Sequence, residues 1–108
     1  MTTLGSLART LRSKNAGAFA VTLDVLFRDR AGYELAVQSP ALSPARVAAL
    51  YGVQPESVLV EYYPQVFAIK VTLPRRIPSG DPGDSDVYGA QQHVPLMQID
   101  IRDEDGAP

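Results

Sequence analysis

At 108 residues, with 45% hydrophobic and 20% charged residues, the chain has the length and balance of one ordinary globular domain. With no cysteine it has no disulfide, thiolate metal site or cysteine nucleophile, and a formal net charge of -2 leaves no basic field to hold nucleic acid or anionic lipid. No run approaches the roughly 18 apolar residues of a membrane span, and the opening "MTTLGSLARTLRSKNAG" lacks the apolar core of a secretory signal, so a single cytoplasmic domain over residues 1–108 is expected.

Leu4, Leu7, Ala8 and Leu11 repeat at helical spacing behind Thr2 or Thr3 as N-cap, which predicts a first helix over about residues 3–14. Arg9, Arg12 and Lys14 then suit the negative end of the helix dipole, and 15–17 supply the stop. "AFAVTLDVLF", 18–27, is rich in β-branched and aromatic residues and predicts a strand with Phe19, Val21, Leu23 and Val25 on one face. "DRAGYELAVQS" predicts a short helix capped by Asp29 and ended before Pro40. "SPARVAALYG" predicts another, with Ser43 as N-cap, Pro44 at the first helical position, Gly52 just past the end, and Val47, Leu50 and Tyr51 as its apolar stripe.

"SVLVEYY" (57–63) and "QVFAIKVTL" (65–73) predict two strands joined around Pro64 as a hairpin. "VPLMQIDI" alternates Met97, Ile99 and Ile101 against Leu96, Gln98 and Asp100 and predicts a last strand; 102–108 reads as a frayed tail. The order helix, strand, two helices, two strands, loop, strand implies one mostly antiparallel four-stranded sheet with two or three helices on one face, a two-layer α+β sandwich.

Between the last two predicted strands lies a polar loop, 74–93, "PRRIPSGDPGDSDVYGAQQH". Its prolines and glycines forbid a regular helix or central strand, so it is either disordered in "PSGDPGDSD" or functional. Val87, Tyr88, Ala90 and His93 give its C-terminal part something to bury. Asp81, Asp84 and Asp86 resemble hard-cation ligands, but D-x-x-D-x-D lacks the order of a calcium loop and its distant glutamate, so no metal is assigned. His93, the only histidine, has the pKa range of a general base and equally suits a structural hydrogen bond at a strand entry. Gln91 and Gln92 suit orientation of a carbonyl or carboxylate.

The second polar cluster is "RSKNAG", where Arg12 and Lys14 suit a carboxylate or phosphate and Ser13 and Asn15 add short donors. Its plain alternative is a helix C-cap. A cleft joining 12–15 to Asp84, Asp86, Tyr88, Gln91 and Gln92 is the candidate ligand site, with Asp86 and His93 as candidate proton carriers.

"LARTLRSKNAGAFAVTLDVLF", "ARVAALYGV", "AIKVTLPR" and "PSGDPGDSDVYGAQQHVPL" resemble a family of small bacterial proteins labelled a domain of unknown function, DUF4387, over nearly the whole chain. "RSKNAG", "LSPARVAALYG" and "VEYYPQVFAIKV" also look like the C-terminal domain of AtuA-like (acyclic-terpene-utilisation) proteins, with "RSGDKG", "LT…RV…YFG" and "ERYELP…ALNF". This chain departs by carrying Lys14-Asn15 where that relative has Gly-Asp-Lys, and "DVYGAQQH" in place of a glycine-run loop. The resemblance implies a ferredoxin-like sandwich and an accessory subunit or free-standing partner of a larger AtuA-like protein in catabolism of acyl-CoA or branched organic acids. Two alternatives stay open. One is a stand-alone hydratase or lyase on a small carboxylate, bound by Arg12 or Lys14. The other is a non-catalytic, oligomeric ligand-binding module, with Tyr62, Phe67 and Ile69 as its apolar patch. The cofactor is left unknown by all three readings.

Overall fold

The structure, a computed structural model, describes residues 2–17, 19–74 and 94–101. Within these residues the sheet has four antiparallel strands: β1 (Ala8–Asn15), β2 (Ala20–Phe27), β3 (Leu59–Tyr63) and β4 (Ala68–Pro74). Their order across the sheet is β1-β2-β4-β3, so β2 and β4 are central and β1 and β3 are edges. Helices α1 (Leu4–Leu7), α2 (Arg30–Gln38), α3 (Pro44–Tyr51) and α4 (Val94–Met97) contribute to one hydrophobic core with a single sheet face. The expected two-layer α+β sandwich is what forms. The ferredoxin-like description fits this layering, while the chain connects it as hairpin, helices, hairpin.

β2 forms the spine because its alternation is uninterrupted: Val21, Leu23, Val25 and Phe27 are all buried. Ile69, Val71 and Leu73 of β4 lie beside them in register. Leu4, Ala36, Leu42, Val47, Leu96 and Ile101 close the core from the helical side. Phe19 is an exception among the residues expected on this face, being 69% exposed outside the strand.

The helices form where their punctuation is strongest. Gly32 N–H donates to Asp29 Oδ1 at 2.9 Å, capping α2, and Arg46 N–H donates to Ser43 Oγ at 3.3 Å, capping α3. Gly52 ends α3 at φ 70, ψ 36, a left-handed position that a side chain would strain.

Two elements differ from expectation. The helix expected over 3–14 is a single turn, α1, capped by Thr3, followed by strand β1. The reason is a bulge: Ala8 pairs with Phe27 and Thr10 with Leu26, so Arg9 is the extra residue. That insertion puts Ala8 and Leu11, three apart, on one side of a strand, and three-residue spacing imitates a helix. The last strand expected at "VPLMQIDI" is also absent from the sheet. Val94–Met97 makes one helical turn, with Leu96 buried and Met97 partly exposed, the reverse of an inward Met97. The segment then meets the N-terminal residues: Leu4 N–H donates to Ile99 O at 2.9 Å and Ile101 N–H to Thr2 O at 2.7 Å. Among the described residues a bridge between Thr3 and Asp100 is its one β-pairing. Among the described residues no helix is long and apolar enough to cross a membrane.

Leu23→Ala should lower stability by about 3 kcal/mol through cavity formation, and Gly52→Ala by about 1 kcal/mol through the left-handed cap. Urea unfolding of both variants measures this, and an inverted ranking would contradict the assignment of Leu23 to the spine.

Candidate functional site

The polar cluster of residues 12–15 lies on edge strand β1, where alternation divides it between two faces. Ser13 pairs with Leu23 and Asn15 with Val21, so both fall on the helix-covered side, and Ser13 is buried. Arg12 pairs with Asp24 and Lys14 with Thr22, on the opposite, open side. The four residues therefore do not form one grip, as a helix C-terminus would have allowed. Two cations face outward and two short polar groups face the core. Asp81, Asp84, Asp86, Tyr88, Gln91, Gln92 and His93 lie outside the described residues, so the expected meeting of the two polar segments rests on residues not described.

The open side carries a pattern that local reading of the strands does not reveal. Arg12 stands opposite Asp24, Asp24 opposite Lys70, and Lys70 opposite Glu61. The row runs across β1, β2, β4 and β3 with signs plus, minus, plus, minus. Arg12 Nε approaches Asp24 Oδ2 at 3.7 Å, with the arginine side chain 67% and the carboxylate 23% exposed. Opposite charges directly across an antiparallel pair are favourable, each by well under 1 kcal/mol at such exposure. On one side of this row lie Thr10, Leu26, Ala68 and Tyr63; on the other lie Lys14, Thr22, Thr72 and Leu59. Thr22 Oγ1 donates to Lys14 O at 3.5 Å across the β1–β2 pair. Glu61 and Lys70 give no sequence signal of this role, because it arises only when β1 is a strand and the register is known.

The β3 edge is the second exposed feature. Leu59 is 55% and Val66 61% exposed, and Tyr62 and Tyr63 are also exposed. This corrects the expected apolar patch of Tyr62, Phe67 and Ile69: Ile69 is in the core and Phe67 packs against it. Phe67 ends the Pro64–Val66 turn at φ 52, a strained value for a bulky residue. It is held there by the Phe27 N–H, which donates to Phe67 O at 2.8 Å, and by Tyr33, whose ring centroid lies 6.1 Å away. Tyr33 also meets Phe27 edge-on at 5.9 Å. Elsewhere, a recess of about 250 Å³ opens between α1 and α2, lined by Leu7, Arg28, Asp29 and Leu35 among others; Asp29 is engaged in capping.

Two phenols are perturbed. Burial pushes Tyr51 up to about 12, opposed by its hydrogen bond with the Leu96 backbone. Burial also raises Tyr33, with a smaller push from Tyr62. Neither points at a proton-transfer role near neutral pH.

The described elements define a small α+β domain with one antiparallel sheet, helices on one face and a charged opposite face. The family model for a domain of unknown function (DUF4387) matches residues 4–100, and the chain belongs to that family. No curated protein and no solved structure matches the chain.

Because folding raises the Tyr51 pKa from its ordinary 10 to about 12, the folded state keeps a proton that the unfolded chain releases. The associated stability is complete below pH 10 and is lost as pH rises toward 12. Tyr51→Phe should flatten that decline in urea unfolding measured from pH 9 to 12; parallel pH curves for the two proteins would contradict it.

Proposed function

We propose that this chain is the small subunit or free-standing partner of a larger AtuA-like protein in catabolism of acyl-CoA or branched organic acids, and that it docks through its β3 edge. The AtuA-like text at "RSKNAG", "LSPARVAALYG" and "VEYYPQVFAIKV" supports the choice of partner. The observation that carries the docking mode is the exposed apolar edge: Leu59, Tyr62, Tyr63 and Val66 cluster on β3 and its turn. An edge strand offers its outer row of N–H and C=O groups to an added strand, and bulky apolar neighbours supply area to bury. The constrained backbone at Phe67 keeps the turn in one shape, so Val66 is presented without an ordering cost at docking.

In this arrangement the acid chemistry resides on the larger protein and this chain supplies a surface. Arg12 and Lys14 lie on the other edge of the sheet, three strand spacings or ~14 Å from β3. They are thus separate from the docking strip.

Co-expression with an AtuA-like protein should yield a complex of fixed ratio and higher activity than the larger protein alone. Val66→Glu, a surface change of small effect on folding, should weaken the complex at least about tenfold, or ~1.4 kcal/mol, by calorimetry. Full activity of the larger protein alone, with no complex formed, would dismiss the proposal.

A further inference from the structure

We infer that the open sheet face pairs with the same face of a second copy of this chain, about a two-fold axis parallel to the strands. This goes beyond docking to a larger partner and uses the open sheet face, which shares Leu59 and Tyr63 with the β3 edge but not Val66. The sign pattern of the central row points to this pairing. Read from β1 to β3, Arg12, Asp24, Lys70 and Glu61 run plus, minus, plus, minus. A two-fold axis along the strands, placed between β2 and β4, reverses that order in the second copy and keeps the row at its own height. Arg12 then faces Glu61 of the second copy, and Asp24 faces Lys70 of the second copy. Each pair occurs twice.

The alternative in-plane axis, perpendicular to the strands, fails the same test. It lays each strand over its own copy, so Arg12 meets Arg12 and Asp24 meets Asp24 when the row coincides. Shifted by one row, it buries Asp24 against Leu26 without a partner in one direction and sets Arg12 against Lys14 in the other, both unfavourable. A reversed alternating row of even length is its own complement. The occupant whose charge pattern matches this face is therefore another copy of this chain.

The flanking rows agree. Under the along-strand axis Leu26 faces Ala68 of the second copy, Thr22 faces Thr72, and the exposed Leu59 lies over the aliphatic stem of Lys14. Leu59 is exposed and Leu26 and Ala68 are half-buried outside the hydrophobic core cluster, so these three gain burial on association, whereas Thr22 is already buried by folding. Sheets packed this way sit ~10 Å apart and rotated by about 30°. At the row ends, ~7 Å from the axis, this displaces opposing side chains by only ~3.5 Å, within reach of arginine and glutamate. Four strands and about five residues per strand give a patch of roughly 19 by 17 Å, which is small for an interface, so the dimer is weak and concentration dependent.

Sedimentation or light scattering across protein concentrations up to about 1 mM tests this directly. The expected result is a monomer–dimer equilibrium that weakens with added salt. Arg12→Glu should raise the dimer dissociation constant about tenfold or more, since two pairs become repulsive, and Glu61→Arg should do the same. The double variant R12E/E61R restores opposite signs in every facing pair and should return to within about threefold of the starting value. Leu59→Lys, which sets a cation over Lys14, serves as a further disrupting variant if a charge reversal impairs folding. A monomer at the highest concentration overturns the proposal. So does a dimer indifferent to R12E and L59K, or a double variant no better than the singles. Val66→Glu should leave self-association unchanged, which separates this outcome from that of partner docking.

Discussion

The antiparallel register that β2 imposes on both neighbours is the constraint from which the rest follows. Its inward residues, Val21, Leu23, Val25 and Phe27, are buried against helices from both halves of the chain. Each therefore ties the strand to a depth that a one-residue slip would destroy by turning apolar side chains outward. Once that depth is set, Asp24 must point to the open side, and hydrogen bonding to β1 and β4 brings Arg12 and Lys70 beside it. β4 then carries Glu61 into the same row through the β3–β4 hairpin. The charged row is a consequence of core packing on the other face of the same strands.

The two faces of the sheet consequently do different things. The helix-covered face supplies stability through branched aliphatics and the Phe27–Tyr33–Phe67 ring contacts. The open face contributes little to folding, because exposed ion pairs such as Arg12–Asp24 are weak. In the dimer proposed above it carries recognition instead, where alternating charge selects orientation more than it adds affinity. The β3 edge is a third surface, shaped by the turn at Pro64–Val66 and separated from the cations of β1 by the width of the sheet.

Much of the architecture was legible locally. The Ser43-Pro44…Gly52 punctuation, the Asp29 cap and the unbroken alternation of β2 depend on neighbours within a few residues, and all three appear where expected. The hairpin around Pro64 also forms, with β4 beginning at Ala68 after a 3-10 turn. β1 was illegible because the bulge at Arg9 converts strand alternation into the spacing of a helix, and "VPLMQIDI" because a single turn and a single bridge share its alternation. Of the candidate ligand residues, 12–15 changed meaning with that strand: Arg12 and Lys14 stand on one face, Ser13 and Asn15 on the other.

By itself, then, the amino-acid sequence determined the class of the domain, its central strand, its two longer helices and a chemistry without cysteine or strong net charge. Those properties are encoded over short spans, by caps, turns and periodicity. Only the tertiary structure decided which residues share a face, because pairing across the sheet joins positions as far apart as Ala20 and Pro74, whose alignment no local pattern specifies. The row from Arg12 to Glu61 exists in space alone.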